Sequence, residues 1–163
     1  MSYRNPPTAV DVVIEVYKRI PKSRWENYTH SEDFLGLVLI ERGHEPYKGK
    51  WALPGGFQEW GESLEETAVR EAKEETSLDI ELLDQLRVYS NPDRDPRGPV
   101  NSVGYIARTT GTPKAGDDAK NIHLFKPDQL PLPAFDHPKR IREYLAWRTK
   151  ADEEREKKLT MWK

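Results

Sequence analysis

Three glutamates, Glu71, Glu74 and Glu75, stand at positions i, i+3 and i+4. At about 100° per residue they share one side of a helix. Leu64, Thr67, Ala68 and Leu78 fall within roughly 60° of that side by the same rotation. The acids therefore lie on the stripe that apolar residues turn toward the protein. Carboxylates crowded on a partly dry surface repel one another and lose hydration. A hard divalent cation resolves both problems. Mg²⁺ takes oxygen ligands in octahedral geometry and keeps several waters for exchange with substrate phosphates. The same spacing also describes a solvated helix laced with ion pairs, in which Arg70 pairs with Glu74 and Glu66 with Arg70.

The elements that must position these acids can be read on either side of them. Ser63 and Glu66 form an S-x-x-E capping box, so a helix is predicted to open at Ser63 and run to Thr76 or Ser77. Upstream, Val10, Val12, Ile14 and Val16 alternate at the period of a strand. Residues 34–40, FLGLVLI, form a continuous apolar run of buried-strand length. Trp51-Ala52-Leu53 reads as a short strand stopped by Pro54, with Gly55-Gly56 as a turn. Downstream, strands are expected over 78–90 (with a bend), 100–108 and 121–126. The proline-rich loop 91–99 and the polar loop 109–120 separate them. A final helix is expected over 136–158, with Ile141, Tyr144, Leu145 and the stem of Arg148 on one face. Strands and helices do not alternate regularly, so an α+β arrangement with a mixed sheet and helices packed on it is expected.

Placed in its surroundings, the acidic helix carries a longer pattern. Gly56 is followed after five residues by Glu62, and after seven more by Arg70-Glu71-Ala72, then Glu74-Glu75. This resembles the Nudix box, G-x5-E-x7-R-E-U-x-E-E-x-G-U, where U is apolar. Gly56, Glu62, Arg70, Glu71, Glu74 and Glu75 all match. Even allowing for local glutamate richness, such a match arises by chance at roughly 10⁻⁴ or less per start position. The one departure is Ser77, where the family has glycine. That position closes the helix, and glycine is favoured there for a left-handed turn. Serine removes no ligand but should cost some local stability or shift the turn.

The resemblance implies an α/β/α sandwich around a central mixed sheet, with residues 1–136 as the hydrolase domain. Residues 137–163 form a C-terminal helix packed on the same domain or on a partner subunit. It implies that Glu71, Glu74 and Glu75, with the carbonyl of Gly55, bind Mg²⁺ or Mn²⁺. Arg70 would orient the glutamates, and Glu62 would be a structural or outer-metal carboxylate. A nearby carboxylate would take the proton of the attacking water; Glu74 or Glu75 is the first choice, base and metal ligand not being separable by sequence, with Asp117 or Asp118 in loop 109–120 as a remote alternative. The segments E-R-G-H-E-P-Y-K-G-K-W-A-L-P-G-G-F and Y-S-N-P-D-R-D-P-R-G are similar to those of ADP-ribose pyrophosphatases within the family. That likeness implies a nucleoside diphosphate derivative as substrate, with ADP-ribose giving AMP and ribose 5-phosphate. Arg42, Arg94 and Arg97 are then candidates for phosphate or ribose contacts, because guanidinium forks suit phosphate oxygens. Arg97 could instead stiffen its loop by pairing with Asp93 or Asp95. Trp25, Tyr28 or Tyr17 could stack on adenine. Cleaning of (d)NTPs or other nucleotide sugars is the alternative activity. A non-catalytic ADP-ribose sensor is the third reading. Only 37 residues follow Lys126, too few for the winged-helix domain that such sensors carry. The family resemblance also implies a homodimer.

Composition excludes several other classes. The 163 residues include 26 basic and 28 acidic ones, for a net charge of −2, without the basic excess of a nucleic-acid binder. The charge is uneven. Residues 59–79 hold eight acids against two bases, and residues 138–163 nine bases against five acids. The chain has no cysteine, which excludes disulfides, thiol nucleophiles and zinc–thiolate sites. Histidines 30, 44, 123 and 137 lack ligand spacing and read as surface or structural residues. No apolar stretch approaches the ~20 residues of a membrane helix, and the N-terminus has no secretory signal pattern, so a cytoplasmic location is expected.

Overall fold

The computed structural model describes residues 5–19, 33–116 and 119–161, with side chains as far as residue 150. Among the described residues, seven strands form one sheet: β1 (Thr8–Tyr17), β2 (Phe34–Arg42), β3 (Trp51–Ala52), β4 (Gly55–Phe57), β5 (Glu81–Tyr89), β6 (Asn101–Thr109) and β7 (Ala119–Phe125). Helix α1 (Leu64–Thr76) follows β4, and helix α2 (His137–Met161) closes the chain. The sheet runs β3-β2-β1-β6-β5, with β4 paired to β1 and β7 to β2. The β1–β6 pair is parallel and the rest are antiparallel, so the sheet is mixed.

β1 is the organising strand because it is buried on both faces. Val10, Val12, Ile14 and Val16 pack with Val103, Tyr105 and the small residues Ala68 and Ala72 of α1. Alanine at both helix positions lets α1 lie close to the sheet. The opposite phase of the alternation is not a solvent face. Val13 and Tyr17 pack with Leu37, Ile106, Ile141 and Tyr144, under α2. Asp11 and Glu15 on this phase take their partners from α2. Asp11 pairs with Arg140 at 2.8 Å and His137 at 3.2 Å. Glu15 accepts hydrogen bonds from Tyr144 at 2.6 Å and Tyr17 at 3.0 Å, with Arg148 at 3.8 Å. The layers are helix, sheet, helix, and each buried Val, Ile or Leu contributes about 1.5–3 kcal/mol.

β6 runs along one edge of β1, from Thr8↔Asn101 to Val16↔Thr109. β2 and β4 share the other edge, β2 opposite Glu15–Tyr17 and β4 opposite Ala9–Asp11. The sheet forks where these two strands part. The expected bend in the strand after α1 is present as irregular register in β5, between Leu82/Asp84 and Gln85/Val88.

Candidate active site

The Gly55-Gly56 pair, read from sequence as a turn, is instead part of strand β4. Gly55 faces Asp11 and Gly56 faces Val10. The amide of Val12 donates to the Pro54 carbonyl at 2.8 Å, which pins the strand's approach. The backbones lie so close that a β-carbon on Gly55 would stand 2.1 Å from the Val10 carbonyl oxygen. A β-carbon on Gly56 would stand 2.2 Å from the Glu71 carboxylate. The two glycines thus bring β4 into direct reach of the acidic side of α1.

α1 starts as expected, with Ser63 and Glu66 bonded reciprocally in the capping box. The Glu66 carboxylate is committed there, so the anticipated Glu66–Arg70 pair does not form; Arg70 takes Glu62 instead, at 2.6 Å. Its Nη1 donates to Glu71 at 2.9 Å and to Glu74 at 3.2 Å, and its Nη2 donates to the Phe57 carbonyl at 3.0 Å. Arg70 thus ties α1, β4 and the loop between them together. Glu62 also accepts from the Thr67 hydroxyl and the Glu59 amide, and its bond from Arg70 above all holds its pKa down to about 2. At the far end, Ser77 adopts the left-handed conformation (φ 59°) that the family's glycine would take. The distant loop between β6 and β7 caps the helix: the Lys114 and Gly116 amides donate to the carbonyls of Thr76 and Glu75.

The three glutamates are not equivalent. Glu75 faces inward and accepts from the Gly55 amide at 2.9 Å. Glu71 is also largely covered, while the Glu74 side chain is 60% exposed. The rotation explains this. Glu71 and Glu75 are about 40° apart around the helix, and Glu74 is about 100° from Glu75. Burial pushes the Glu75 carboxyl up to about 8, reinforced by the charges of Glu71 and Asp11 and opposed by the Gly55 amide and Arg42. Burial raises Glu71 as well, against the pull of Arg70. Among the described residues, no three acidic, histidine or cysteine side chains already converge at metal-ligand spacing. The donors nonetheless suit a hard divalent cation. They are carboxylate and backbone oxygens, and a buried carboxylate with so raised a pKa lacks positive charge that a cation would supply.

Beside β4, at the fork in the sheet, lies a cleft. Asp11, Ile40, Leu53, Gly55, Gly56 and His137 line it, as do all three of the arginines singled out from sequence. Those arginines differ in their commitments. Arg94 is buried, and its Nε and Nη2 both donate to Asp136 at 3.1 Å. Arg97 is held by Asp95, one of the two partners considered for it, at 3.0 and 2.7 Å. Arg42 donates from Nε to the Pro46 carbonyl at 2.7 Å, and burial lowers its pKa, with Arg97 adding to the effect.

Sequence reasoning missed the aromatic wall of this cleft. The Arg97 guanidinium lies 5.3 Å from the ring centre of Phe57 and 6.0 Å from that of Phe135. Arg42 lies 4.9 Å from Phe135 on its own account, and Tyr47 meets Phe135 edge-on at 4.7 Å. Such alternation of cations and ring faces is attractive and holds the guanidiniums in place. Phe135 and Tyr47 both adopt positive φ (54° and 63°), rare for aromatic residues and typical of functional regions. That left-handed geometry leaves no mark in a single sequence. Tyr17, by contrast, is wholly buried against Phe34 and bonded to Glu15, so it cannot stack on a ligand. His137 is structural: its Nδ1 accepts from the Leu53 amide at 3.0 Å and its Nε2 faces Asp11. Trp25, Tyr28, Asp117 and Asp118 lie outside the described residues.

A mixed sheet between two helices, with an acidic helix packed against a glycine strand that borders a cleft, is the arrangement of one known class. The NUDIX domain pattern matches residues 29–148, and the chain belongs to the Nudix family. It is 45% identical over 147 residues to an ADP-ribose pyrophosphatase of Methanocaldococcus jannaschii, covering 90% of this chain and 77% of that one. Among solved structures, a mutT/nudix family protein from Listeria innocua is similar with a TM-score of 0.68 and 34% identity, covering 90% of this chain and 97% of that one. The NUDIX domain of Shewanella oneidensis NrtR, complexed with ADP ribose, is similar with a TM-score of 0.69 and 27% identity, over 88% of this chain and 89% of that one.

Proposed function

We propose that this Nudix hydrolase cleaves the pyrophosphate of ADP-ribose with water, giving AMP and ribose 5-phosphate. The observation that carries the reading is the cleft itself, where Gly55 and Gly56 meet Arg42, Arg94 and Arg97. The identity to the ADP-ribose pyrophosphatase named above supports the choice of substrate. In the reaction one P–O bond forms to the water oxygen, one P–O bond of the anhydride breaks, and the two protons of the water pass to the product phosphates or to solvent.

Glu71, Glu74, Glu75 and the Gly55 carbonyl are assigned to hold Mg²⁺, with Mn²⁺ as a substitute. Bound there, the cation would neutralise phosphate charge and lower the pKa of a water. Arg70 orients Glu71 and Glu74. Arg42 and Arg97, held by ring faces and by Pro46 and Asp95, offer preorganised charge to the diphosphate. Arg94 adds positive charge at the cleft while its Nε and Nη2 stay on Asp136. Glu74 or Glu75 is assigned as general base, with Asp117 or Asp118 as the remote alternative. The family resemblance further supports a homodimer, and the lack of a secretory signal pattern in the N-terminal residues supports a cytoplasmic location. No helix among the described residues is long and apolar enough to cross a membrane.

A substrate panel with and without chelator tests the assignment. Metal-dependent release of AMP from ADP-ribose is expected. No AMP at micromolar enzyme overturns it, and a clear preference for nucleoside triphosphates would reassign the substrate. DNA binding in a gel shift without hydrolysis would favour a sensor.

A further inference from the structure

Phe57 stands between two hollows. One is the cleft described above. The other opens on the far side and is lined by Asn5, Pro6, Pro7 and Pro99, with Phe57 and Arg97 forming the shared wall. The second hollow encloses about 980 Å³ of atom-free space including its mouth, against about 460 Å³ for the cleft. The cleft alone is narrow for a ligand with two arms on one diphosphate, so one arm has to leave it. The second hollow borders it along Phe57, Arg97 and Val100.

We propose that this second hollow is a nucleobase subsite, taking the purine arm of the nucleoside diphosphate derivative. Its walls suit a flat, apolar ring with polar edges. Three prolines present rigid surfaces that lose little conformational entropy on contact. Phe57 is 40% exposed, and the Arg97 guanidinium 5.3 Å from its ring centre, itself fixed by Asp95, backs it. Exposed aromatic faces of this kind stack on bases whatever their identity. Asn5 carries both a donor and an acceptor, the pair needed to read a base edge. A sugar phosphate offers no flat face to these walls and belongs on the arginine side. The inference rests on the reading that the cleft takes a nucleoside diphosphate derivative.

Calorimetric titration of the full chain with the two halves of the substrate tests it. AMP and ribose 5-phosphate are the probes, against wild type, Phe57→Ala and Asn5→Ala. Phe57→Ala is expected to weaken AMP about tenfold or more, the worth of one lost stacking contact. Asn5→Ala should weaken AMP by a smaller factor; ribose 5-phosphate should hold within about twofold in Asn5→Ala, since Asn5 does not line the cleft, and should weaken less than AMP in Phe57→Ala, where Arg97 loses one ring face. Unchanged AMP binding in both variants overturns the subsite. Ribose 5-phosphate weakened as much as AMP overturns it too, because the hollow then takes the other arm or the site has collapsed. Hydrolysis of ADP-ribose is followed in parallel. If wild type fails to hydrolyse it while AMP still responds to Phe57→Ala, the proposed activity falls and the subsite stands. Hydrolysis with unresponsive AMP binding gives the reverse.

Discussion

The Glu75 carboxylate accepts a hydrogen bond from the Gly55 amide at 2.9 Å, joining residues twenty apart in sequence. This bond closes strand β4 onto helix α1 and brings a buried acid against the backbone whose carbonyl is assigned to the metal. The raised pKa of that acid gives the contact a pH dependence in the metal-free protein. The folded state holds a proton on Glu75 up to about 8, whereas the unfolded carboxyl releases it near 4.5. Between these values the folded state binds more protons, so metal-free stability falls as pH rises. Thermal unfolding in chelator should show this decline. Adding divalent cation should reverse it, with protons released on binding, measurable by calorimetry in buffers of different ionisation enthalpy.

Glu75→Gln should keep the fold and cost several orders of magnitude in kcat. The amide retains an oxygen to accept from Gly55 but cannot ionise. In chelator at pH 8, the variant should unfold no earlier than wild type, because its buried side chain carries no charge. Near-full activity would falsify the metal assignment.

Gly55 and Gly56 should fail in different ways when changed to alanine. At Gly55 the new methyl meets the Val10 backbone, which cannot move without parting β4 from β1. Gly55→Ala is expected to destabilise by about 2 kcal/mol or more, through overpacking. At Gly56 the methyl meets the end of the Glu71 side chain, which can swing away. Gly56→Ala should unfold close to wild type yet lose metal affinity and activity. Denaturant unfolding and calorimetry on the two variants separate the effects.

Asp11→Asn removes the anion buried with Arg140 and His137. Burial alone would raise the Asp11 pKa, but Arg140, His137 and the Ser102 hydroxyl together hold it well below the usual 3.8. Its contribution is therefore complete above the unfolded carboxyl's titration and is lost as pH falls through and below 3.8. Arg140 keeps Asp136 at 3.2 Å, but losing the buried Asp11 charge should still cost about 3 kcal/mol at neutral pH. Urea unfolding across acidic pH should show a steep acid limb in wild type that is blunted in Asp11→Asn.

Ser77→Gly should stabilise the protein without changing kcat. A non-glycine residue at φ 59° carries a steric cost that glycine lacks, partly offset by the greater freedom of glycine when unfolded. The expected gain is about 0.5–1 kcal/mol, or a rise of about 1–4 °C in Tm. Differential scanning calorimetry checks it.

What the chain's order of residues determined by itself was whatever short-range geometry controls. The α1 capping box, the shared side of Glu71 and Glu75 and the left-handed stop at Ser77 all follow from neighbours within a few positions. The family pattern is equally local, because it lies in one strand–loop–helix. Tertiary structure decided everything that depends on which distant segments meet. Asp11 and Glu15 sit on the phase of β1 that a period of two assigns to solvent, and only α2, more than a hundred residues later, supplies the arginines and tyrosine that cover them. Gly55-Gly56 carries the composition of a turn, and the free edge of β1 makes it a strand. Arg42, Arg94 and Arg97 could be picked out by type, but their convergence on one cleft required the fork between β2 and β4. The wall of Phe57 and Phe135, with Tyr47 packed edge-on against Phe135, had no sequence signal, since ring stacking depends on positions in space and on left-handed backbone that aromatic residues adopt only when their surroundings hold them there.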